Sequence, residues 1–347
     1  MKPKSPDDVL DLMDAYIPSA ALNTAMELGI FWLLDKQPHE ASSIAKILGI
    51  PGNRCRYWLQ LLMDMELIEP VSGGFAPTSV ARATILDIYS QETWTCLASM
   101  ARERFPVVLD LTKLIREPIS TWQSQGLSPP NYLSQLQEKP EEANRFTRML
   151  YELHLPLAEA LADCMNIPDA KSLLDIGGGS GVFPMALLRR YPVLEAVVID
   201  IPNVCEVGSK IAQENKLGDR ISYTAIDFIK DELPGGFDVV LCCDTGPYSQ
   251  ALFRKIRGAL NPGGRLIIVE QFPAERDTLT PPWLTWSFRS SLHEPDFSLP
   301  SLADIEDPLE RSGFRISSMN TIPHKGAVRW SKSWFILEAD ITEDDRA

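Results

Sequence analysis

Residues 173–183 read LLDIGGGSGVF. Apolar residues with one acid lead into three consecutive glycines, a serine, a fourth glycine and a return to apolar residues. The pattern describes a buried strand entering a turn where backbone lies close to a ligand, followed by a helix. The dinucleotide fingerprint Gly-x-Gly-x-x-Gly needs its third glycine three positions after the second. Gly177 and Gly179 satisfy it, but the next position is Val182. The glycines space instead as Gly177, Gly179 and Gly181, with Asp175 two residues ahead of them.

Downstream, strand-like and helix-like segments alternate. SLLDIGG, EAVVIDIP, RISYTAIDF, FDVVLCCD and RLIIVEQF read as strands, separated by GVFPMALLRRYP, VCEVGSKIAQENKL and SQALFRKIRGAL as helices, with NPGG as a turn. SLADIEDPLERSG reads as a last helix before ISSMNTIP and KSWFILEAD as final strands. Such alternation predicts an α/β fold: a doubly wound, Rossmann-like, largely parallel sheet with helices on both faces and the last strand antiparallel. Ligands of such sheets lie at the carboxyl ends of the strands, where strand order reverses. That rim holds the glycine loop, Asp175, Asp200, Asp227 and Asp244.

Four acids at four strand ends are a poor environment for a pyrophosphate. They suit a ligand with hydroxyls and positive charge. Asp200 follows the glycines by about 20 residues, where a carboxylate accepts from both ribose hydroxyls. S-adenosylmethionine offers a ribose, an adenine, a sulfonium, an ammonium and no phosphate. Asp227 is placed to hold its adenine amino group, with the Phe228 ring as a flat apolar contact.

Upstream, residues 8–35 have helical periodicity, as do HEASSIAKILGI and NRCRYWLQLLMDMELIEP. VSGGFAPTSVARATI then gives two short extended pieces around Gly73-Gly74. Helices followed by a glycine-tipped hairpin make a winged-helix pattern. Asp64 and Glu66 follow Arg54 and Arg56 with no basic stripe, so packing or dimerisation is expected rather than DNA binding. Residues 86–115 read as helical, and 117–140, rich in Pro, Ser and Gln, as a long surface loop. A helix follows from Pro140, with Pro156 expected to kink it. The expected boundaries are 1–115 for the helical domain, 116–165 for loop and connecting helix, and 166–347 for the sheet domain.

The 347 residues carry a formal net charge of −14, which argues against nucleic acid or an anionic membrane as partner. The N-terminal sequence lacks a signal-peptide pattern, and no apolar run reaches ~20 residues. Six scattered cysteines without Cys-x-x-Cys spacing suit free thiols, so a soluble, cytoplasmic protein is expected. The four histidines form no zinc pattern, and no metal is expected.

DIGGGSG, VVIDIP, AIDF and ALNPGGRLIIVE together resemble the small-molecule O-methyltransferases of the plant caffeate and bacterial antibiotic type. The resemblance covers most of the chain and implies S-adenosylmethionine as cofactor, a small-molecule acceptor, and a homodimer formed through the N-terminal domain. It implies that Gly177, Gly179 and Gly181 contact the cofactor, Asp200 with Ile201 its ribose, and Asp227 with Phe228 its adenine. Asp175 heads the same loop.

The pattern breaks after the fourth strand. Family members that methylate oxygen carry a lysine there, then a His-Asp-Trp stretch whose histidine deprotonates the acceptor. Here the sequence is LCCDTGPYSQAL: Cys243 occupies the lysine position among the cofactor residues, Pro247 and Tyr248 lie near the histidine position, and no histidine occurs between 155 and 292. Three readings stay open. An O-methyltransferase with another base would recruit His154 or His293, since such help is worth ~10²–10⁴-fold. A thioether or activated carbon needs no prior deprotonation, and positioning alone supplies ~7–11 kcal/mol. Third, the protein keeps the cofactor site without transferring methyl. Tyr248 is a further catalytic candidate, better as donor than base. Met149, Trp286 and Arg289 are expected in the acceptor pocket, the last two within WLTWSFRSSLH (283–293).

Overall fold

The computed structural model describes residues 2–105, 109–128, 132–273, 279–323 and 334–342. It divides into two compact units, Met1–Leu111 and Thr112–Ala347.

The first unit contains α1 (Pro6–Asp14), α2 (Tyr16–Leu28), α3 (Ile30–Lys36), α4 (Ala41–Leu48) and α5 (Gly52–Asp64). An antiparallel hairpin follows, β1 (Ile68–Val71) and β2 (Gly74–Pro77), and then α6 (Gln91–Arg102). Phe31, Leu34, Ile44, Leu59, Leu62 and Ile68 meet in one core, so the helical apolar stripes converge as their periodicity requires. Gly74 sits at φ +137°, and a Cβ there would stand 2.1 Å from the backbone of His39. The hairpin thus docks on its neighbouring strand-like residue through a position open only to glycine. By contrast α1 buries nothing: Leu10 is 59% and Met13 68% exposed, despite a complete Ser5–Asp8 capping box.

In the second unit, β3 (Ser172–Ile176), β4 (Glu195–Asp200), β5 (Ile221–Ala225), β6 (Phe237–Cys243), β7 (Leu260–Gln271), β8 (Phe314–Thr321) and β9 (Trp334–Ile341) form one sheet. Its order is β5-β4-β3-β6-β7-β9-β8, with β9 antiparallel to both neighbours and the first five strands parallel. Succession runs one way from β3 to β5 and the other way from β6 to β7. The carboxyl ends of β3 and β6 therefore flank the crevice where chain direction diverges. Apolar layers cover both faces. On one, α7 (Pro140–Cys164), α8 (Val182–Arg190) and α9 (Pro202–Glu214) pack on alternate strand residues; on the other lie α10 (Gln250–Ala259) and α12 (Ala303–Glu310), with α11 (Pro281–His293) between them in sequence. β6 is buried almost throughout, as a central parallel strand should be.

Two local expectations, the loop over 117–140 and the NPGG turn, differ from the structure. Within 117–140, short helices form at Thr121–Ser124 and Tyr132–Glu138. The first is nucleated by a Ser120–Gln123 capping box and tied down by the Thr121 hydroxyl, which donates to the Leu292 carbonyl at 2.9 Å. α7 carries Pro156 inside it and runs on to Cys164, with Leu157, Ala158 and Leu161 fully buried in the turns that follow. The NPGG stretch is absorbed into β7: Leu260 pairs with Phe237, and an irregularity accommodates the glycines before Arg265 pairs with Val239. No single helix among the described residues is long and apolar enough to cross a membrane.

Candidate active site

The glycine loop joins β3 to α8, with Gly177, Gly179 and Gly181 at φ +62°, +57° and +74°. Side chains are excluded from two of them by protein. A Cβ on Gly177 would lie 3.0 Å from the Thr245 methyl and 3.3 Å from the Phe228 ring, and one on Gly181 would lie 2.2 Å from the Tyr223 hydroxyl. At Gly179 nothing stands within 4 Å. This glycine therefore presents an open concave face of backbone, as close approach by a ligand requires. The Gly179 N–H donates to Asp200 Oδ2 at 2.9 Å, and the Ile201 N–H to Oδ1 at 2.7 Å. Burial pushes the half-buried Asp200 carboxyl upward, while these two bonds oppose the shift. Each oxygen keeps capacity for a hydroxyl donor. An open glycine beside a strand-end carboxylate, with an aromatic ring at Gly177, fits S-adenosylmethionine.

The remaining cofactor candidates are arranged as follows. Asp175 is fully buried under the loop, where a Cβ on Gly178 would meet its Oδ2 at 2.1 Å. Burial first, and the Asp200 charge second, hold it well above the usual carboxylate range. It lies beneath the loop rather than on the open face. Asp227 receives Lys230 Nζ at 2.7 Å and the Ile229 N–H at 3.1 Å, and the Lys230 bond lowers its pKa. Ile201 caps α9 and is half-buried. Cys243 is buried in the core with Ile267 and Val269, where burial pushes its thiol well up. Thr245, which sequence reasoning passed over, donates to the Ile176 carbonyl at 3.0 Å and ties the end of β6 to the end of β3.

A cavity of 560 Å³ lies over the ends of β6 and β7. That volume is typical of small-molecule sites. Asp244, Pro247 and Tyr248 line it from the chain after β6, and Glu270, Gln271 and Phe272 from the end of β7. Trp283 and Trp286 come from α11, and Ser301, Asp304 and Ile305 from the start of α12. The Tyr248 hydroxyl donates to Glu270 Oε2 at 3.0 Å, and the Gln271 N–H to Oε1 at 2.9 Å. Burial first, then the neighbouring Asp244 charge, push Glu270 up to about 7. Tyr248 stacks on Phe253, and burial with the Glu270 charge holds its hydroxyl well above its ordinary value, so it serves as a donor. Trp286 meets Trp283 and Phe297 edge-on, each at 5.2 Å between ring centres.

Of the catalytic candidates named from sequence, Tyr248 lines this cavity. His154, on α7, sits half-buried against the rings of Phe183 and Trp334. Burial lowers its pKa, with a partial opposing pull from Asp244. His293 ends α11 and stacks on Trp122 at 5.5 Å. Of the acceptor-pocket candidates, Trp286 lines the cavity, Met149 is buried on α7, and Arg289 is half-buried on α11. Glu270, Phe272 and Asp304 were missed. The available signal for Glu270 was an acid placed late in the otherwise apolar strand IIVEQF, at the rim end.

The model of the O-methyltransferase domain matches residues 110–288, and that of the O-methyltransferase dimerisation domain matches 10–86. The chain is 26% identical over 322 residues to the N,N-dimethyltransferase OxyT of Streptomyces rimosus, covering 90% of this chain and 92% of that protein. It is 28% identical over 271 residues to the 3-hydroxy-5-methyl-1-naphthoate 3-O-methyltransferase of Streptomyces sahachiroi, covering 76% and 77%. The mitomycin 7-O-methyltransferase MmcR shares its fold, with a TM-score of 0.80, 22% identity and 97% of each chain covered. Together with the open glycine loop and the Asp200 carboxylate, these matches place the chain in the O-methyltransferase domain family, as an S-adenosylmethionine-dependent methyltransferase.

Proposed function

We propose that this enzyme methylates a protic heteroatom, a hydroxyl or an amine, on a flat small molecule seated in the 560 Å³ cavity, with Glu270 taking the proton that histidine takes elsewhere in the family. The observation that carries this reading is Glu270 itself, a half-buried carboxylate poised at about 7 and oriented by Tyr248 inside an aromatic-walled cavity. A general base works best with a pKa near the operating pH. A thioether or ring-carbon acceptor would gain nothing from such a group before attack. Oxygen and nitrogen acceptors are both represented by the named activities of the relatives.

Bound S-adenosylmethionine supplies an electrophilic methyl on a sulfonium. Gly179 and the Asp200 carboxylate would receive its methionine and ribose portions, and Phe228 with Asp227 its adenine. Asp175 lies fully buried beneath that backbone, its pKa held well above the usual carboxylate range by burial and the Asp200 charge. Trp283, Trp286 and Phe272 hold the acceptor ring by apolar contact and exclude water. The bare apolar face of α1, together with the dimerisation domain, supports a homodimer formed through the N-terminal unit. Six free cysteines suit a reducing cytoplasm.

The test is Glu270→Gln, assayed for transfer of labelled methyl to hydroxylated and aminated ring compounds, with S-adenosylhomocysteine binding followed by calorimetry. Turnover should fall by ~10²-fold or more, with cofactor affinity preserved. Full turnover in the variant would remove Glu270 as the base.

A further inference from the structure

The cavity is unusual in its charge. Three carboxylates, those of Asp244, Glu270 and Asp304, line it, and no lysine, arginine or histidine does among the described residues. None of the three is in an ion pair with a described cation. Asp304 Oδ2 accepts from the N–H and hydroxyl of Ser301, at 2.8 and 2.9 Å, which fixes the carboxylate without neutralising it. Asp244 and Glu270 stand within side-chain hydrogen-bonding reach, where one proton can be shared and the charge of one disfavours ionisation of the other. The rest of the wall is uncharged, with Tyr248, Phe272, Trp283 and Trp286 as its aromatic members beside Pro247, Gln271 and Ile305. Carboxylates in a cavity also lined by two tryptophans disfavour an anionic guest and leave a neutral one without compensation for the charge. They stabilise a cation both directly and through the ring quadrupole.

Building on the reading of this cavity as the acceptor site, we infer that the acceptor is an amine: a ring compound that enters as an ammonium ion and receives the methyl on its nitrogen. In the step, the ammonium loses a proton to the Glu270 carboxylate and the nitrogen lone pair is freed. That pair forms the N–CH3 bond as the methyl–sulfur bond breaks, and the electrons of the broken bond stay on sulfur. The products are a methylated ammonium ion and S-adenosylhomocysteine, and Glu270 returns its proton to solvent.

Three matched probes test this on the full chain loaded with S-adenosylhomocysteine: 2-(6-hydroxynaphthalen-2-yl)ethylamine, 6-ethyl-2-naphthol, and 6-hydroxy-2-naphthylacetate. Calorimetry should show the amine binding at least about tenfold tighter than the naphthol, with the acetate weakest. Asp304→Asn, which removes a charge and keeps an acceptor, should cut the amine's affinity severalfold and leave the naphthol's unchanged. With S-adenosylmethionine, fragmentation of the product should place the methyl on nitrogen. Equal binding of amine and naphthol, binding of none, preference for the acetate, or methyl on the ring oxygen of the amine probe would each overturn the inference. If the naphthol is methylated without any preference for the amine, the proposed function survives and the amine class falls. If the amine binds selectively and no probe is methylated, recognition of a cation stands and the role of Glu270 as base falls.

Discussion

The Tyr248 hydroxyl donates to Glu270 Oε2 at 3.0 Å while the Gln271 N–H holds Oε1 at 2.9 Å. Two donors on one carboxylate favour its ionised form and fix its direction, against burial and the Asp244 charge, which favour the proton. Removing the hydroxyl alone should tilt that balance. In Tyr248→Phe the ionisation seen in kcat/KM should move to higher pH, and turnover at pH 7 should fall by roughly threefold to tenfold, the worth of one hydrogen bond. An unmoved pH profile would show that Tyr248 only packs against Phe253.

Glu270 also gives activity and stability opposite responses to pH. Its folded-state pKa, about 7, lies above its ordinary 4.5. The folded protein therefore binds more protons than the unfolded chain between these values, and this contribution to stability is lost as pH rises through the window. The ionised base, in contrast, accumulates as pH rises, so kcat/KM should climb to a plateau above about 7. Asp175 and Asp200 add to the stability effect with the same sign, and His154, with its lowered pKa, opposes it. The difference in melting temperature between wild type and Glu270→Gln isolates the glutamate. Relative to the variant, the wild type should lose stability between pH 5 and pH 8; a gain over that range would contradict the environment described for Glu270.

The glycine loop separates binding from folding within three residues. Gly179 has an open face, whereas a Cβ on Gly181 would collide with the Tyr223 hydroxyl at 2.2 Å. Both sit at positive φ, so alanine costs about 1–2 kcal/mol of backbone strain at either position. Gly181→Ala should add the steric penalty and lower the melting temperature further. Gly179→Ala should keep more of the stability yet lose S-adenosylhomocysteine binding, because its methyl occupies the face offered to the ligand. Asp200→Ala should weaken the same binding by roughly tenfold to a hundredfold, since it removes a charged acceptor and releases the Gly179 N–H. Calorimetry beside thermal melts distinguishes these outcomes, and unaltered binding in Asp200→Ala would remove it from the ribose site.

Much of this arrangement is readable along the chain because it is local. Strand, glycine turn and helix follow one another between Leu173 and Phe183, and alternation with a period of two or 3.6 places each core face. Asp200 is likewise announced by its distance from the glycines. The acceptor cavity is different. Glu270, Trp286 and Asp304 come from three elements whose meeting depends on β7 lying next to β6 and on how the chain returns from it, which no spacing encodes. Residue type alone points to the histidines as replacement bases, whereas the group at the cavity is the Glu270 carboxylate, whose pKa near neutrality arises from burial and a neighbouring charge. The helix at Thr121–Ser124 was obscured for a similar reason, since its anchor, Leu292, is 171 residues away.

The two histidines provide the sharpest remaining contrast with Glu270. His154 is half-buried between Phe183 and Trp334, and burial lowers its pKa, so it is neutral at pH 7 and fills space beside the sheet. His293 stacks on Trp122 where α11 ends, outside the lining of the cavity. Alanine at either position should cost stability, about 0.5–1.5 kcal/mol for a lost ring pair, with more at His154 because it leaves a void. Neither substitution should change kcat by more than about threefold at neutral pH, whereas loss of a working base costs ~10²–10⁴-fold. Measured beside Glu270→Gln with the same acceptor, the three variants assign the proton to one residue. A collapse of turnover in His154→Ala, with Glu270→Gln active, would move the base to α7 and make Asp244 the carboxylate that holds its imidazolium.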